Sequence, residues 1–332
     1  MLKGKEMNQP NISRVIEGFL LHQGASGRSP NTLRNYRQEL LRFLEFIGDK
    51  QIDEVSSREI ENFFLYLKND FMITHRGTTP ITPRKLTSKT ISNCHGTLAV
   101  FWKWTNKEFG INNPFTLPPI RFHMKPILPL KGEEIERLLD NCKMVEKGFL
   151  NQKRYSAQRN TSKRDKAIIL TLLDSGVRVS EMCSANIKDL ELEIGRLFVT
   201  GKGNKSRFVY LGKICRRAIW GYLAERYPDH SPNVDEPLFM DRYNLSRLTR
   251  QGVLELLKSI ANRAKVENVH PHRFRHTFAI EFLRNGGNVF ELQQLLGHSD
   301  LETARRYVQL AQTDLETSFK KASPVDRWQL KP

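Results

Sequence analysis

The sequence predicts a mainly α-helical protein with one small antiparallel β-sheet, divided into two domains. Three observations carry that expectation. Apolar residues recur at helical spacing through most of the 332 residues. One stretch, Leu190–Leu211, is instead β-branched and aromatic and is punctuated by glycine. Between residues 112 and 129, five prolines gather without any hydrophobic periodicity. Chains of this length hold about two domains of ~150 residues. A hydrophobic share of 39% beside 27% charged residues is enough for packed cores.

The elements follow in order. Ile12 to Leu21 has a helical pattern. Ser29 and Pro30 form an N-cap and first-turn proline for a second helix, in which Leu33, Tyr36, Leu40, Phe43, Leu44 and Ile47 share a face before Gly48 ends it. Ser56 to Leu67 and Thr90 to Trp104 complete a bundle of about 100 residues. The segment Phe71–Lys89, rich in Gly, Pro, Thr and basic residues, reads as a surface loop within it. The proline-rich segment is the linker. Beyond it, helical patterns cover Lys131–Cys142, Asp165–Ser175, Val253–Ala264, His272–Asn285 and Val289–Leu296. Gly195-Arg196 and the glycines of Gly201–Asn204 supply hairpin turns for the predicted sheet. Glu146–Arg164 is polar, basic and aperiodic, and is expected to loop out.

Charge narrows the partner. The formal net charge is +17, with 53 Lys and Arg against 36 Asp and Glu. Residues 1–120 carry 16 basic and 11 acidic side chains, so both parts of the chain are positive. Such a balance points to a polyanion, nucleic acid first. No apolar run approaches the ~18 residues of a membrane span, and the N-terminal residues lack a secretory h-region. No membrane partner is therefore expected, and the cytoplasm is the expected compartment. The four cysteines are scattered with no CxxC pair, so neither a zinc site nor a disulfide framework is expected.

Four motifs carry chemistry. In Asp174–Met182 (DSGVRVSEM), Arg178 follows a glycine at a helix end. It reads either as a surface cation or as a phosphate clamp oriented by Glu181 one turn on. In Thr200–Arg207 (TGKGNKSR), glycines allow close backbone approach, Lys202 is placed to reach a phosphate or donate a proton, and Lys205 and Arg207 to grip a backbone. The alternative is a solvated basic hairpin; the spacing is not that of a Walker loop. In His270–Thr277 (HPHRFRHT), His272 and Arg275 share a helix face, and Arg273 points elsewhere. His272 and His276 have metal-ligand spacing, but two arginines crowd them and no acidic ligand is near. Imidazole and guanidinium together suit an anionic pentacoordinate phosphate better. In Leu295–Tyr307 (LLGHSDLETARRY), Gly297 ends one helix and Tyr307 lies on the next, by itself an ordinary core tyrosine.

Taken together, Arg178, Lys202, His272, Arg275, His298 and Tyr307 resemble, in order and spacing, the active site of the tyrosine recombinase (phage integrase) family. GVRVSEM resembles the first arginine box, GKGNKSR the hairpin lysine, HRFRH the H-x-x-R-H box, and LLGHSDLETARRY the box ending in the tyrosine. SPNTLRNY and NNPF resemble the family's core-binding domain. Tyr210 stands where proline is common, and both basic loops are longer than in compact Xer-type members.

The resemblance implies a C-shaped two-domain clamp on DNA. Its parts would be a helical, SAM-like core-binding domain over 11–113, a linker over 114–130, a catalytic domain over 131–311 and a tail over 312–332 with a docking role between protomers. It implies cofactor-free site-specific recombination. Tyr307 would attack the scissile phosphate to give a 3′-phosphotyrosine, with Arg178, Arg275 and His298 on the phosphate oxygens and Glu181 in support. Lys202 would protonate the departing 5′-oxygen, and His272 would help take the tyrosine proton or support the phosphate. Lys205, Arg207 and Arg273 are the expected DNA-backbone contacts. The implied partners are a duplex recombination site, further copies of the chain in a tetramer, and accessory bending or directionality factors. A type IB topoisomerase-like relaxer and a non-catalytic DNA-binding regulator are the alternative readings.

Overall fold

A computed structural model describes the chain except for residues 1–8, 77–78, 123–127, 151–152, 159, 202–204, 242–244, 298–306, 309–318, 320–322 and 329–332. It divides into two compact units, Met1–Lys125 and Pro126–Pro332.

The first unit is built on four helices: α1 (Ile12–Ala25), α2 (Pro30–Ile47), α3 (Ser57–Asn69) and α4 (Ser88–Phe109). Each of the last three is capped by a side chain. Ser29 accepts from the Thr32 amide, Thr87 accepts from the Thr90 amide, and Ser56 and Glu59 form a reciprocal capping box. Their apolar faces bury Phe19, Phe43, Phe63, Phe101 and Trp102 completely. Edge-on ring pairs, Phe19 on Phe101 at 5.4 Å and Phe43 on Phe63 at 5.1 Å, fix how the helices meet.

The expected loop at Phe71–Lys89 is instead a β-hairpin, β1 (Met72–Arg76) against β2 (Thr79–Lys85). Its prolines give it the composition of a loop. In a two-stranded ribbon every strand is an edge, and an edge tolerates proline without losing a shared ladder bond. The first part of the proline-rich segment is fastened to this unit. Leu117 carbonyl meets His95 Nε2 at 3.1 Å, Phe115 stacks edge-on against His95, and the Lys89 ammonium lies over the Phe122 ring.

The second unit holds α5 (Gly132–Asp140), a hairpin of β3 (Met144–Leu150) and β4 (Lys153–Gln158), α6 (Ser162–Ser175) and α7 (Val179–Ser184). A three-stranded antiparallel sheet follows, β5 (Leu190–Glu191), β6 (Arg196–Thr200) and β7 (Ser206–Tyr210), in sequence order. Then come α8 (Lys213–Arg226), α9 (Arg250–Ala264), α10 (Pro271–Arg284) and α11 (Val289–Leu296). The expected loop at Glu146–Arg164 is thus mostly hairpin and the start of α6.

Helices α7 and α8 have no clear signal in the sequence. The first is under two turns long. The second buries Cys215, Ile219 and Tyr222 but exposes Ile214 and Trp220, which blurs its apolar stripe. Helix α6 runs through the core between α8 and α10, so the residues that follow its C-terminus emerge beside both.

Candidate active site

The site starts where α6 stops. Gly176 caps that helix in the left-handed region at φ +59°. A Cβ there would lie 2.3 Å from the Phe278 ring on α10, so glycine is demanded by both conformation and space. Two residues later Arg178 caps α7. Its guanidinium donates to Glu181 Oε1 at 2.7 Å and its amide to Oε2 at 3.0 Å.

Glu181 is the electrostatic pivot. It is buried, and Arg207 reaches it from β7, donating to Oε1 at 3.1 Å and Oε2 at 2.9 Å. Burial pushes its carboxyl up, but the hydrogen bonds from Arg207 and from Arg178 outweigh that and hold it at about 2. Gly201, at the end of β6, packs so closely that a Cβ would lie 2.7 Å from Glu181 Oε1. The C-terminal end of β6 therefore lies next to the Arg178–Glu181 pair.

Arg275 comes from α10 and is 4% exposed. It donates to Gly176 carbonyl at 2.7 Å and Leu296 carbonyl at 2.6 Å, bridging the ends of α6 and α11. Burial and the nearby Arg178 charge lower its pKa to about 10. His272, at the start of α10, is exposed toward solvent. Partial desolvation and then the positive charges of His270, Arg275, Arg250 and Arg178 lower its pKa. Tyr307 is buried against α10 and α11, and its hydroxyl lies 2.8 Å from His276 Nδ1.

The structure thus assembles Arg178, Glu181, His272, Arg275 and Tyr307, although they span 130 residues of sequence. Lys202 and His298 lie outside the described residues. Lys205 is exposed beyond the start of β7.

Two of the expected backbone contacts, Arg207 and Arg273, have partners within the chain. Arg207 turns inward, binding Glu181 and donating to Leu295 carbonyl at 2.7 Å. A buried carboxylate attracts it more strongly than solvent does. Arg273 faces away from the site and fastens the start of the unit, through Leu128 and Pro129 carbonyls, Glu267 carbonyl and the Glu134 carboxylate.

Sequence reasoning gives His276 no working role. Its signal is there all the same, since position i+4 from His272 falls on the same helix face. Arg250 on α9, whose charge reaches His272, has no signal in sequence. Chemically, the guanidiniums of Arg178 and Arg275 beside an imidazole make a cationic cluster in which the buried carboxylate of Glu181 is already shared. Such a charge set suits a tetrahedral anion better than a metal cation. Among the described residues, no group of three or more His, Cys, Asp or Glu side chains is placed to hold a metal, and no helix is long and apolar enough to cross a membrane.

Comparison with known proteins converges on one family. A model described as the phage integrase family matches residues 129–314, and one for the phage integrase N-terminal SAM-like domain matches residues 16–109. Tyrosine recombinase XerC of Staphylococcus aureus is 30% identical over 304 residues, covering 89% of this chain and 91% of its own. XerC of Oceanobacillus iheyensis is 28% identical over 325 residues, covering 96% and 98%.

In fold, the chain is similar to XerH site-specific recombinase bound to its difH substrate, at TM-score 0.66 and 21% identity over 94% of this chain and 84% of that one. It is similar too to the Tn1549 transposon integrase in complex with circular-intermediate DNA, at TM-score 0.68 and 18% identity over 90% and 95%. With the family model matching more than half of its length and the two-unit fold matching as well, the chain belongs to the phage integrase family of tyrosine recombinases.

Proposed function

We propose that this site-specific recombinase works by opening duplex DNA at a defined site through a covalent 3′-phosphotyrosine at Tyr307 and exchanging strands through a Holliday junction. The observation that supports this best is the convergence of Arg178, Arg275 and Tyr307 on the ends of α6 and α11. Arg275 is hydrogen-bonded to Gly176, two residues from Arg178, and is electrostatically coupled to both Arg178 and Tyr307.

In this reading the scissile phosphate sits on the two guanidiniums. Arg178 is kept in place by Glu181, and Arg275 by the two helix-end carbonyls. The phenol oxygen attacks phosphorus and the 5′-oxygen departs, taking a proton from Lys202. His298 donates to a phosphate oxygen, and the exposed His272 supports the phosphate. The phosphodiester energy stays in the covalent link, so resealing calls on no nucleotide or metal. The DNA partner is a duplex recombination site, filled by one protomer per half-site and assembled as a tetramer, with accessory factors setting direction.

A suicide substrate library tests the proposal. DNA trapped covalently is sequenced, and the sites recovered distinguish integration or excision of a mobile element from Xer-type resolution. Tyr307→Phe is expected to abolish the adduct on denaturing gels while changing duplex affinity less than about twofold, since affinity comes from many phosphate contacts. An adduct formed by the Phe variant would refute the nucleophile. Adducts on every sequence would indicate a relaxer, and none from the wild type a regulator.

A further inference from the structure

The phenol of Tyr307 is held by a residue to which the family resemblance gives no role. His276 lies one turn beyond His272 on α10, and its Nδ1 stands 2.8 Å from the phenol oxygen, with ring centroids 5.7 Å apart. Tyr307 is 2% exposed and packs with Ala279, Ile280, Leu283, Leu292 and Leu296. Bulk water does not reach a phenol so enclosed. A proton leaving that oxygen needs a protein acceptor within hydrogen-bond reach. His272 is exposed one turn away, and the charges it senses are those of His270, Arg275, Arg250 and Arg178.

We propose that His276 is the proton acceptor for Tyr307 in strand cleavage, and the proton donor to it in resealing. This rests on the function proposed above. In the resting state Nε2 carries the ring proton and Nδ1 accepts the phenol hydrogen. As the bond from the phenol oxygen to phosphorus forms and the bond to the 5′-oxygen breaks, the phenol proton passes to Nδ1 and His276 becomes an imidazolium. The departing 5′-oxygen takes its proton from Lys202. In resealing the 5′-hydroxyl returns its proton to that lysine and attacks phosphorus, the phosphotyrosine bond breaks, and the phenol oxygen recovers its proton from Nδ1. Arg275 beside the pair favours the negative charge that develops on the phenol oxygen.

The test uses the full-length chain and the duplex recovered by covalent trapping. Single-turnover cleavage is measured for the wild type, His276→Ala and His276→Asn. Each carries either tyrosine or 2,3,5-trifluorotyrosine, whose phenol is more acidic, at position 307. Loss of a general base is expected to slow cleavage about 100-fold with tyrosine and at least tenfold less with the fluorinated residue. His276→Asn is informative because its amide reaches the position of Nδ1 and holds the phenol but takes no proton, so it should be as slow as the Ala variant. Wild-type rates in His276→Asn, or a deficit untouched by fluorination, would overturn the assignment and leave a holding role only.

A DNA-free measurement guards against misfolded variants. In the ¹⁵N spectrum of histidine-labelled wild-type protein, the Nδ1 that shifts on Tyr307→Phe should be unprotonated. A protonated or insensitive Nδ1 overturns the proposal without reference to DNA. A wild type that forms no adduct on any DNA would instead fail the recombinase reading itself.

Discussion

Glu181 shows how one buried carboxylate organises a cationic site. Without it, Arg178 and Arg207 would repel each other and Arg275; with it, Arg178 is aimed and Arg207 is tied to the β-sheet. Its carboxyl is held at about 2 against an ordinary value of 4.5, so the ionised form is favoured by folding. A depressed folded-state pKa contributes stability that is fully present above 4.5 and disappears as pH falls through about 2. That contribution is on the order of 3 kcal/mol at neutral pH. Glu181→Gln should therefore destabilise the protein by about 3 kcal/mol at pH 7, because two arginines lose their counter-charge. The variant should also lose Glu181's share of the wild type's stability change between pH 4.5 and 2.5. Urea midpoints across that range check it; a variant as acid-sensitive as the wild type would show that other carboxylates govern acid unfolding.

At the scale of elements, the site depends on helix ends. The ends of α6 and α11 supply the carbonyls that seat Arg275, and both ends turn on left-handed glycines, Gly176 and Gly297. A Cβ on Gly297 would lie 3.0 Å from the Arg207 guanidinium, so the second cap also has a neighbour to displace. Gly176→Ala is expected to cost roughly 2–3 kcal/mol, from the positive φ and the clash with Phe278, and to slow cleavage at least tenfold. Gly27→Ala is the contrast. Its φ is +78° but nothing lies within 4 Å of the added methyl, so it should cost about 1 kcal/mol and leave cleavage untouched. Thermal melts and single-turnover rates on the two variants measure this directly. Equal effects would mean that the cap geometry at α6 is not what seats Arg275.

For the whole molecule, the +17 charge sets how it meets DNA. The β3–β4 hairpin and the residues after it carry Lys147, Lys153, Arg154, Arg159 and Lys163. Replacing these five with neutral residues should weaken binding to every duplex. It should also flatten the slope of log affinity against log salt by roughly 0.9 for each phosphate no longer neutralised. Arg164, next in sequence, is left intact because it holds the fully buried Asp165 and donates to Met240 carbonyl. An unchanged slope would remove the hairpin from the footprint.

The segment past Tyr307 is expected to act in assembly. Its apolar residues Leu310 and Leu315 lie outside the described residues, and Phe319 is exposed. Truncation after Ala311 should preserve binding of a single half-site and abolish cooperative filling of the second on native gels. Retained cooperativity would place the protomer contacts elsewhere.

The sequence by itself determined the helices with clean apolar faces and side-chain caps, the small antiparallel sheet with its hairpin turns, and the family, because those signals are local or depend only on order and spacing. The hairpins β1–β2 and β3–β4 stayed hidden, since a two-stranded ribbon with edge prolines and basic residues has the composition of a loop. Helix α8 stayed hidden because exposed Ile214 and Trp220 erase the contrast between its faces. The partners of each arginine were equally illegible. Nothing in the order of residues says that Arg207 would bind Glu181, or that Arg273 would bond to residues 128–134. The same holds for the contact between His276 and Tyr307, 31 positions apart. Charged side chains choose partners by burial and distance, and those exist only once α6, α10, α11 and the sheet have packed around one point.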